Sequence, residues 1–315
     1  MVRQMDIYKL PALDLSDAAD VEAAAKLIFQ ESLAHLRINF DHFVKSKDEA
    51  ALMQLRIGMR RTRVALRLFR EIIPIETRKK FSREFRHFGK MFGNARDMDV
   101  FLRGMLKEDH VHLEMQTEYE RLRVLAQSLR TSEYERIHAE ITAERFEDLL
   151  SAFTSWHQQN WSLDLDTSGE ALLQGNLGSF AVGSIATAKK EFLEKGAVIE
   201  NCSTEELHKI RKYVKRARYY LRFFSSLLDR SKIDEGYGLL AQMQDDLGHV
   251  NDVKDGLRLT SKLCAEVPAI HISRSLKLCA VLIENAGHEV EAHLLSYQEH
   301  YKPYESFVIT ELDLL

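Results

Sequence analysis

The sequence predicts an all-α protein. The 315-residue chain holds only 14 glycines and 4 prolines, too few of the residues that build the turns of β-sandwiches and barrels. Its apolar residues, 45% of the total, recur at helical spacing, and two long helical segments repeat along the chain. With 29% charged residues, the composition is typical of a globular protein rather than a disordered or membrane-spanning one.

Two segments of the chain align without gaps at a single offset of 155 residues. LMQLRIGMRRTRVALRLF at 52–69 matches LHKIRKYVKRARYYLRFF at 207–224, and GNARDMDVFLRGMLK at 93–107 matches GHVNDVKDGLRLTSK at 248–262. We call residues 52–107 the first copy and 207–262 the second copy. This duplication predicts two tandem, pseudo-symmetric repeats that resemble four-helix bundles and pack side by side.

Apolar periodicity predicts the helices of each repeat in order. The first repeat, 1–160, and the second, 177–300, are separated by a linker at 161–176 that loses helical periodicity. The residues after Lys302 and Pro303 are expected to form an irregular tail, 301–315. The predicted helices lie near 18–45, 48–73, 76–92, 95–128 and 132–153 in the first repeat, and near 177–196, 203–228, 233–247, 250–265 and 269–299 in the second.

Several classes of protein are disfavoured by what the sequence lacks. No run approaches the ~18 apolar residues that cross a bilayer, and the N-terminus lacks the sectors of a signal peptide, so we expect no membrane association and a cytoplasmic location. The three cysteines form no CxxC pair, which argues against a disulfide framework and a zinc-thiolate site. We therefore expect reduced thiols, no metal and no cofactor.

Positive charge is concentrated in the repeated segments although the net charge is −4. The first copy holds 15 Lys and Arg against 5 Asp and Glu, and the second copy holds 12 against 7. Such segregation creates a local positive potential, which is what an anionic ligand meets at close range.

The cations form ridges on predicted helices that each carry a separate apolar face. Solvated faces usually interleave Glu with Lys, whereas these ridges have few acidic members and favour arginine, whose planar fork suits phosphate oxygens. The ridges therefore predict binding of a polyanion. The predicted ligand residues are Arg56, Arg60, Arg63, Arg67, Lys79, Arg83, Arg86 and Lys90 in the first copy, and His208, Arg211, Lys215, Arg218 and Arg222 in the second.

These motifs resemble the conserved histidine α-helical domain family, abbreviated CHAD. Its two halves read like VHxLRVxxRRLRxxLxxF with LGxxRDxDV, then LHxLRKxxKRLRYxLExF with LGxxNDxxV. The counterparts here are LMQLRIGMRRTRVALRLF, FGNARDMDV, LHKIRKYVKRARYYLRFF and LGHVNDVKD. The resemblance covers essentially the whole chain and implies a bacterial-type binding protein for inorganic polyphosphate, with a basic groove between two helical repeats and association with polyphosphate granules.

The chain departs from the family pattern at one position. The first signature histidine is Met53, while the second is retained as His208, and a thioether neither donates a hydrogen bond to phosphate nor pairs with its charge. The ridge that begins at Lys79 also lacks a basic counterpart in the second copy, so we expect an asymmetric surface.

Two aspartates, Asp97 and Asp252, follow glycines in the second motif of each copy. We expect each to cap a helix start or to orient a ridge arginine. We predict no catalytic residue, because no nucleophile or glycine-rich phosphate loop accompanies the carboxylates. Two alternatives stay open: a nucleic-acid-binding helical protein, although base-reading motifs are lacking, and a phosphohydrolase or phosphotransferase acting on polyphosphate.

Overall fold

Ten α-helices and three short 3₁₀ turns account for the regular structure of the described residues. The computed structural model describes residues 8–10, 13–106, 113–161, 165–199, 202–267 and 272–315. In chain order the helices are α1 (Val21–Ser46), α2 (Glu49–Leu68), α3 (Ile75–Arg103), α4 (Gln116–Ile141), α5 (Glu144–His157), α6 (Thr167–Leu173), α7 (Leu177–Gly196), α8 (Thr204–Phe223), α9 (Arg230–Ala265) and α10 (Ile272–Ser306). The prediction of an all-α fold is confirmed.

Polar caps fix where the two most basic helices begin. The Asp48 carboxylate accepts from the amide of Ala50 at 2.7 Å at the start of α2. Ser203 and Glu206 form a reciprocal capping box at the start of α8, which satisfies amides that have no partner inside a helix. Asp48 and Ser203 lie 155 positions apart, and both helices contain 20 residues. The offset seen in the sequence is thus kept by the helix boundaries.

Three predicted helix breaks are wrong, one of them at 129–131, where α4 continues without interruption. We expected interruptions at 92–95 and at 247–250, whereas α3 and α9 continue through Gly93 and Gly248. A glycine costs a helix about 1 kcal/mol relative to alanine, but its neighbours Phe92 and Leu247 are buried, and their packing outweighs that cost. The predicted helix at 95–128 is replaced by the end of α3 and by α4, and residues 107–112 within it lie outside the described part of the chain.

The linker and the tail are more ordered than their compositions suggested. Within the linker, α6 is capped by Asp166, whose carboxylate accepts from the amide of Gly169 at 2.8 Å; residues 162–164 lie outside the description. The last helix, α10, passes through Pro303 and ends at Ser306, because Tyr304 is fully buried and holds this turn in place. Beyond it Phe307 is buried, and Leu314 forms an isolated antiparallel bridge with Leu228.

The helices pack in two series, one from each half of the chain, and the two series share one apolar core. Helices α1 to α4 each contact the next, as do α7 to α10, and the series meet where α2 packs on α8 and α3 packs on α9. Aromatic rings join them: Phe69 stacks on Phe180 with ring centroids 5.7 Å apart, and Phe180 meets Phe224 edge-on. The core is therefore continuous across both halves of the chain.

A second apolar cluster lies where the ends of α3, α4, α9 and α10 meet, and it contains Cys264 and Cys279. All three cysteines lie in the described residues, and no disulfide joins them. Among the described helices, none has a stretch long and apolar enough to cross a membrane.

Candidate anion-binding cavity

A cavity of about 520 Å³ opens between the two series of helices, at the contact of α2 and α3 with α8 and α9. Among the described residues, nine cationic side chains line it, against three carboxylates. The cations are Lys9, Arg56, Arg60, Arg61, Arg96, Arg211, Lys215, Arg218 and Arg222, and the carboxylates are Asp97, Asp245 and Asp252. The wall is therefore strongly positive although the whole chain is negative.

The sequence of α2 shows why these arginines reach the cavity. Leu55, Met59 and Leu66 on one face of the helix are fully buried in the core. Arg56 and Arg60 are four residues apart, one turn along a different face, and they are only partly buried. Packing of the apolar face against α1 and α3 thus directs the basic face toward α8.

Cations from equivalent positions of the two copies face one another across the cavity. Arg56 and Arg60 of α2 correspond to Arg211 and Lys215 of α8. Burial and the charges of Arg60 and Arg211, which Asp97 opposes, together lower the pKa of Arg56 to about 10. Burial followed by the charges of Arg60, Arg211 and Arg56 also lowers the pKa of Lys215 well below its ordinary value. Like charges are therefore held together without enough counter-charge in the protein.

Arg211, which lines the cavity, has a buried donor without a partner among the described residues. Its Nε is buried and makes no hydrogen bond within the described structure. The guanidinium of Arg211 packs against α9 at Gly248, where an added Cβ would lie 3.0 Å from Nη2 of Arg211. Glycine at this position thus allows α9 to approach the guanidinium closely. A buried guanidinium nitrogen without a partner is costly unless a ligand satisfies it.

Tyr237 of α9 orients two further arginines of α8 at the cavity wall. The guanidinium of Arg218 lies over the Tyr237 ring, 5.2 Å from its centroid. Nη1 of Arg222 donates to the Tyr237 hydroxyl at 3.5 Å, and Nη2 donates to the Leu10 carbonyl at 3.1 Å. These contacts hold the fork of each arginine while leaving its charge without an acidic partner.

Six of the thirteen predicted ligand residues line the cavity, and the remaining seven lie outside its wall. Arg63 is coupled electrostatically to the cavity, because burial and then the charges of Arg86 and Arg60, a lining residue, lower its pKa. A track of cations thus leads from Arg60 in the cavity to Arg63 and on to Arg86 on the surface. Arg67 points elsewhere, with Nη2 3.8 Å from Glu191 of α7.

The basic ridge of α3 is more neutralised than its sequence indicated. Nζ of Lys79 pairs with Glu76 at 2.9 Å, and Nε of Arg83 lies 3.4 Å from Glu84. Lys90 and Arg86, the other two members, are exposed. The expectation that the ridge lacks acidic partners is wrong for Lys79 and Arg83, because glutamates three residues before and one residue after them reach their charges. The opposite face of α3 is buried in the core through four phenylalanines, Phe81, Phe85, Phe88 and Phe92.

His208 lies at the margin of the cavity and reaches it through Asn251. Its Nδ1 is 2.9 Å from Oδ1 of Asn251, a lining residue, whose Nδ2 donates to Asp255 at 2.8 Å. Desolvation lowers the pKa of His208. The charges of Lys212, Lys215 and Arg211 also lower this pKa, and the hydrogen bond with Asn251 opposes them. At the equivalent position Met53 lines the cavity and is 40% exposed. Of these two equivalent positions, only the one on α8 thus carries an imidazole that can donate a hydrogen bond or bear a charge.

Asp97 and Asp252 do not cap helices, contrary to one of the two expected roles. Both lie inside continuous helices, because α3 and α9 pass through the glycines that precede them. Desolvation and the charge of Asp255, which Arg56 and Arg258 oppose, together raise the pKa of Asp97 to about 6. Desolvation also raises the pKa of Asp252, which Arg211 opposes. The two carboxylates thus face the cavity arginines, in keeping with the orienting role.

Sequence reasoning left Arg96 and Arg61 out of the predicted ligand residues. Arg96 directly precedes Asp97 in the second motif, and its Nη1 lies 3.4 Å from Glu49. Arg61 belongs to the first motif but is 4% exposed, with Nη1 2.6 Å from Glu31 of α1. Its equivalent, Arg216, pairs with Glu191 of α7. The motif arginines at 61 and 216 therefore bind their own repeats together, a role that spacing alone does not reveal.

The described residues include no group of three or more His, Cys, Asp or Glu placed to hold a metal ion. The chemistry of the cavity is thus that of fixed cations and hydrogen-bond donors, which suits recognition of phosphate oxygens.

Comparison with known proteins shows a matching domain family and two solved structures with a similar fold. The family model of the CHAD domain matches residues 27–255. The fold resembles the crystal structure of the CHAD domain from the plant Ricinus communis, with a TM-score of 0.78 at 23% identity over 93% of this chain and 96% of that one. It also resembles PptA from Streptomyces chartreusis, with a TM-score of 0.67 at 14% identity over 89% of this chain and 99% of that one. Comparison with curated proteins gives no significant match.

Proposed function

Because this chain belongs to the CHAD domain family, which is known to bind polyphosphate, we propose that it binds inorganic polyphosphate in the cavity between its two series of helices, without catalysing a reaction on it. The observation that carries this proposal is the meeting of Arg56 and Arg60 with Arg211 and Lys215 across the cavity. The charge of Arg60 contributes to the lowered pKa of Arg56, Arg211 and Lys215, and a linear polyanion laid between these cations would relieve their repulsion.

The chemistry of the wall favours a flexible chain of phosphates over other polyanions. Arginine forks bind two phosphate oxygens at once, and a polymer without bases needs no base-reading contacts. A cavity of about 520 Å³ is too small for a nucleic-acid duplex, whose major groove alone is about 12 Å wide. Binding would release condensed counterions and would therefore weaken as salt rises. A cytoplasmic location and association with polyphosphate granules remain predictions.

The test is a titration of the pure protein with long-chain polyphosphate, a short polyphosphate, single-stranded DNA and orthophosphate at several salt concentrations. We expect long-chain polyphosphate to bind most tightly, with an affinity that falls log-linearly with salt at a slope of several units. Tighter binding of DNA at matched phosphate concentration would favour the nucleic-acid alternative. Release of orthophosphate from polyphosphate would identify a phosphohydrolase. A slope near zero would refute the electrostatic mechanism.

A further inference from the structure

Two buried thiols face each other in the second apolar cluster, remote from the cavity wall. Sγ of Cys264, near the end of α9, lies 2.8 Å from Sγ of Cys279 on α10. The two side chains are 7% and 5% exposed. An S–S bond is about 2.05 Å long, so the sulfurs need to approach by less than 1 Å to bond.

The surroundings hold the pair in this arrangement. Leu263 and Leu278, the direct neighbours of the two cysteines in sequence, are fully buried, and Leu122 of α4 is buried in the same cluster. Because α9 and α10 pack along their lengths, neither sulfur can turn away without exposing apolar surface or opening this corner of the fold. The contact is therefore a property of the packing of three helices.

We propose that Cys264 and Cys279 are a reversible disulfide pair, oxidised by a small hydroperoxide, whose bond clasps α9 to α10. The proposal does not rest on polyphosphate binding. In the first step the Cys264 thiolate attacks one peroxide oxygen, so that the O–O bond breaks, an S–O bond forms and one water leaves after protonation. In the second step the sulfur of Cys279 displaces the hydroxyl of that sulfenic acid, the S–S bond forms, and the Cys279 proton leaves with the hydroxide as a second water.

The order of these steps follows from the environment of the two thiols. Burial and the hydrogen bond with Cys264 raise the pKa of Cys279 to about 12, so Cys279 stays protonated and enters second. An uncharged oxidant as small as hydrogen peroxide also suits an apolar site that would exclude glutathione disulfide. A thiol reductant that reaches the bond when the corner opens would restore the pair.

The proposed disulfide closes a short loop of the chain and stabilises the region where α4, α9 and α10 meet. For two cysteines 15 positions apart, the loss of entropy in the unfolded chain predicts a rise in Tm of roughly 5 °C on oxidation. Asp252, the cavity residue on α9, precedes Cys264 by more than three helical turns, so we expect the affinity for polyphosphate to stay within two-fold.

The experiment uses the full chain carrying Cys202→Ser, which leaves Cys264 and Cys279 as its two thiols. The reduced protein is treated with a slight excess of hydrogen peroxide, and thiols are counted after denaturation. We expect both thiols to be lost, the intact mass to fall by about 2 Da for two hydrogens, and a peptide that links Cys264 to Cys279. Dithiothreitol should restore both thiols and the lower Tm.

The matched control adds Cys279→Ser, so that a single thiol faces the same oxidant. We expect this variant to show no mass loss and no rise in Tm. Two retained thiols in the Cys202→Ser protein, oxidation of Cys264 to a sulfinic acid without a link, or a link only between two molecules would each overturn the proposal. If Cys202→Ser impairs folding, peptide mapping of the oxidised natural sequence decides the question, because a link to Cys202 contradicts the pairing.

Discussion

Lys215 is a cation whose neighbours are cations. Arg60, Arg211 and Arg56 all lower its pKa after burial, whereas Asp252 alone opposes them. Half-buried like charges weaken a fold unless something compensates them. At the scale of single residues, the cavity thus holds like charges together at a cost to the free protein, a cost that the proposed binding of a polyanion would offset.

This arrangement predicts opposite effects of one substitution on stability and on binding. Lys215→Met should raise the free energy of unfolding by roughly 1 kcal/mol, because it removes an uncompensated charge, and should weaken polyphosphate binding about ten-fold. Thermal melts and titrations on the same variant check both signs.

The matched control is Lys189→Met. Lys189 also has a lowered pKa from burial, but its Nζ donates to the carbonyls of Glu305, at 2.8 Å, and Phe307. Its loss should therefore lower stability and leave binding unchanged. A Lys215→Met variant that is less stable than the natural sequence would show that Lys215 is compensated in the free protein.

The carboxyl of Asp97 makes binding depend on pH. Its pKa in the folded protein is about 6, above the ordinary 3.8, so the stability gained from its proton is complete below about pH 4 and is lost as the pH rises through 6. A bound polyanion raises this pKa further. Binding should therefore take up a proton, and affinity should increase several-fold as the pH falls from about 8 to about 6.

Two variants separate the contributions of Asp97 and His208. Asp97→Asn should bind more tightly than the natural sequence at pH 8 and should flatten the pH profile. His208→Gln should remove a smaller part of it, because this side chain meets the cavity through Asn251. Comparing variants with one ligand preparation cancels the titration of the polymer's own end groups. A pH profile that Asp97→Asn leaves unchanged would exclude this carboxyl.

At the scale of helices, the stripes of α2 and α8 were predictable and the continuity of α3 and α9 was not. Helical spacing predicted that the basic residues of α2 lie on a different face from its apolar residues, because one helix fixes these directions by itself. The breaks at Gly93 and Gly248 were predicted wrongly, because tertiary packing decides whether a helix continues through a glycine.

The ridge of α3 shows a second limit of reasoning from one helix. Sequence spacing puts Lys79, Arg83, Arg86 and Lys90 on one face, but Arg145 of α5 shares Glu84 with Arg83, and no spacing rule supplies a partner from another helix. The partners of Lys79 and Arg83 lie on α3 itself, but the sharing of Glu84 with Arg145 is a contact that the sequence of α3 does not reveal.

The ridge thus predicts unequal effects of two charge reversals. Arg86→Glu should weaken polyphosphate binding several-fold, because Arg86 extends the track from Arg63 and its charge already acts on Arg63. Arg83→Glu should have little effect on affinity, because Glu84 offsets that arginine in the free protein. Helicity should be retained in both, since the phenylalanine face carries the packing.

Glu120→Lys on α4 is the matched control, because Glu120 is exposed and its reversal adds positive charge away from the cavity wall. We expect its affinity to be unchanged or slightly higher. Equal losses for Arg83→Glu and Arg86→Glu would mean that the whole ridge binds the polymer.

At the scale of the whole molecule, the duplicated segments bring equivalent cations to one place. Net charge of −4 conceals a cavity with nine cations and three carboxylates, and only the contact of α2 with α8 makes the two basic segments one site. The repeat could be found in the sequence because identities recur at one offset. The closing of the cavity, and the inclusion of Arg96 and Tyr237 in its wall, depend on how the two series of helices dock.

The most direct test of this account compares polyphosphate affinity between two double variants at low salt. Arg56→Gln with Arg211→Gln removes an equivalent pair that faces across the cavity, while Lys79→Gln with Arg83→Gln removes the same charge from the outer surface. We predict a loss of roughly 100-fold for the first pair, from two charge-assisted contacts, with an unchanged or higher Tm, and a loss of less than three-fold for the second. Equal affinities of the two double variants, or a cavity variant that binds like the natural sequence, would contradict binding in the cavity.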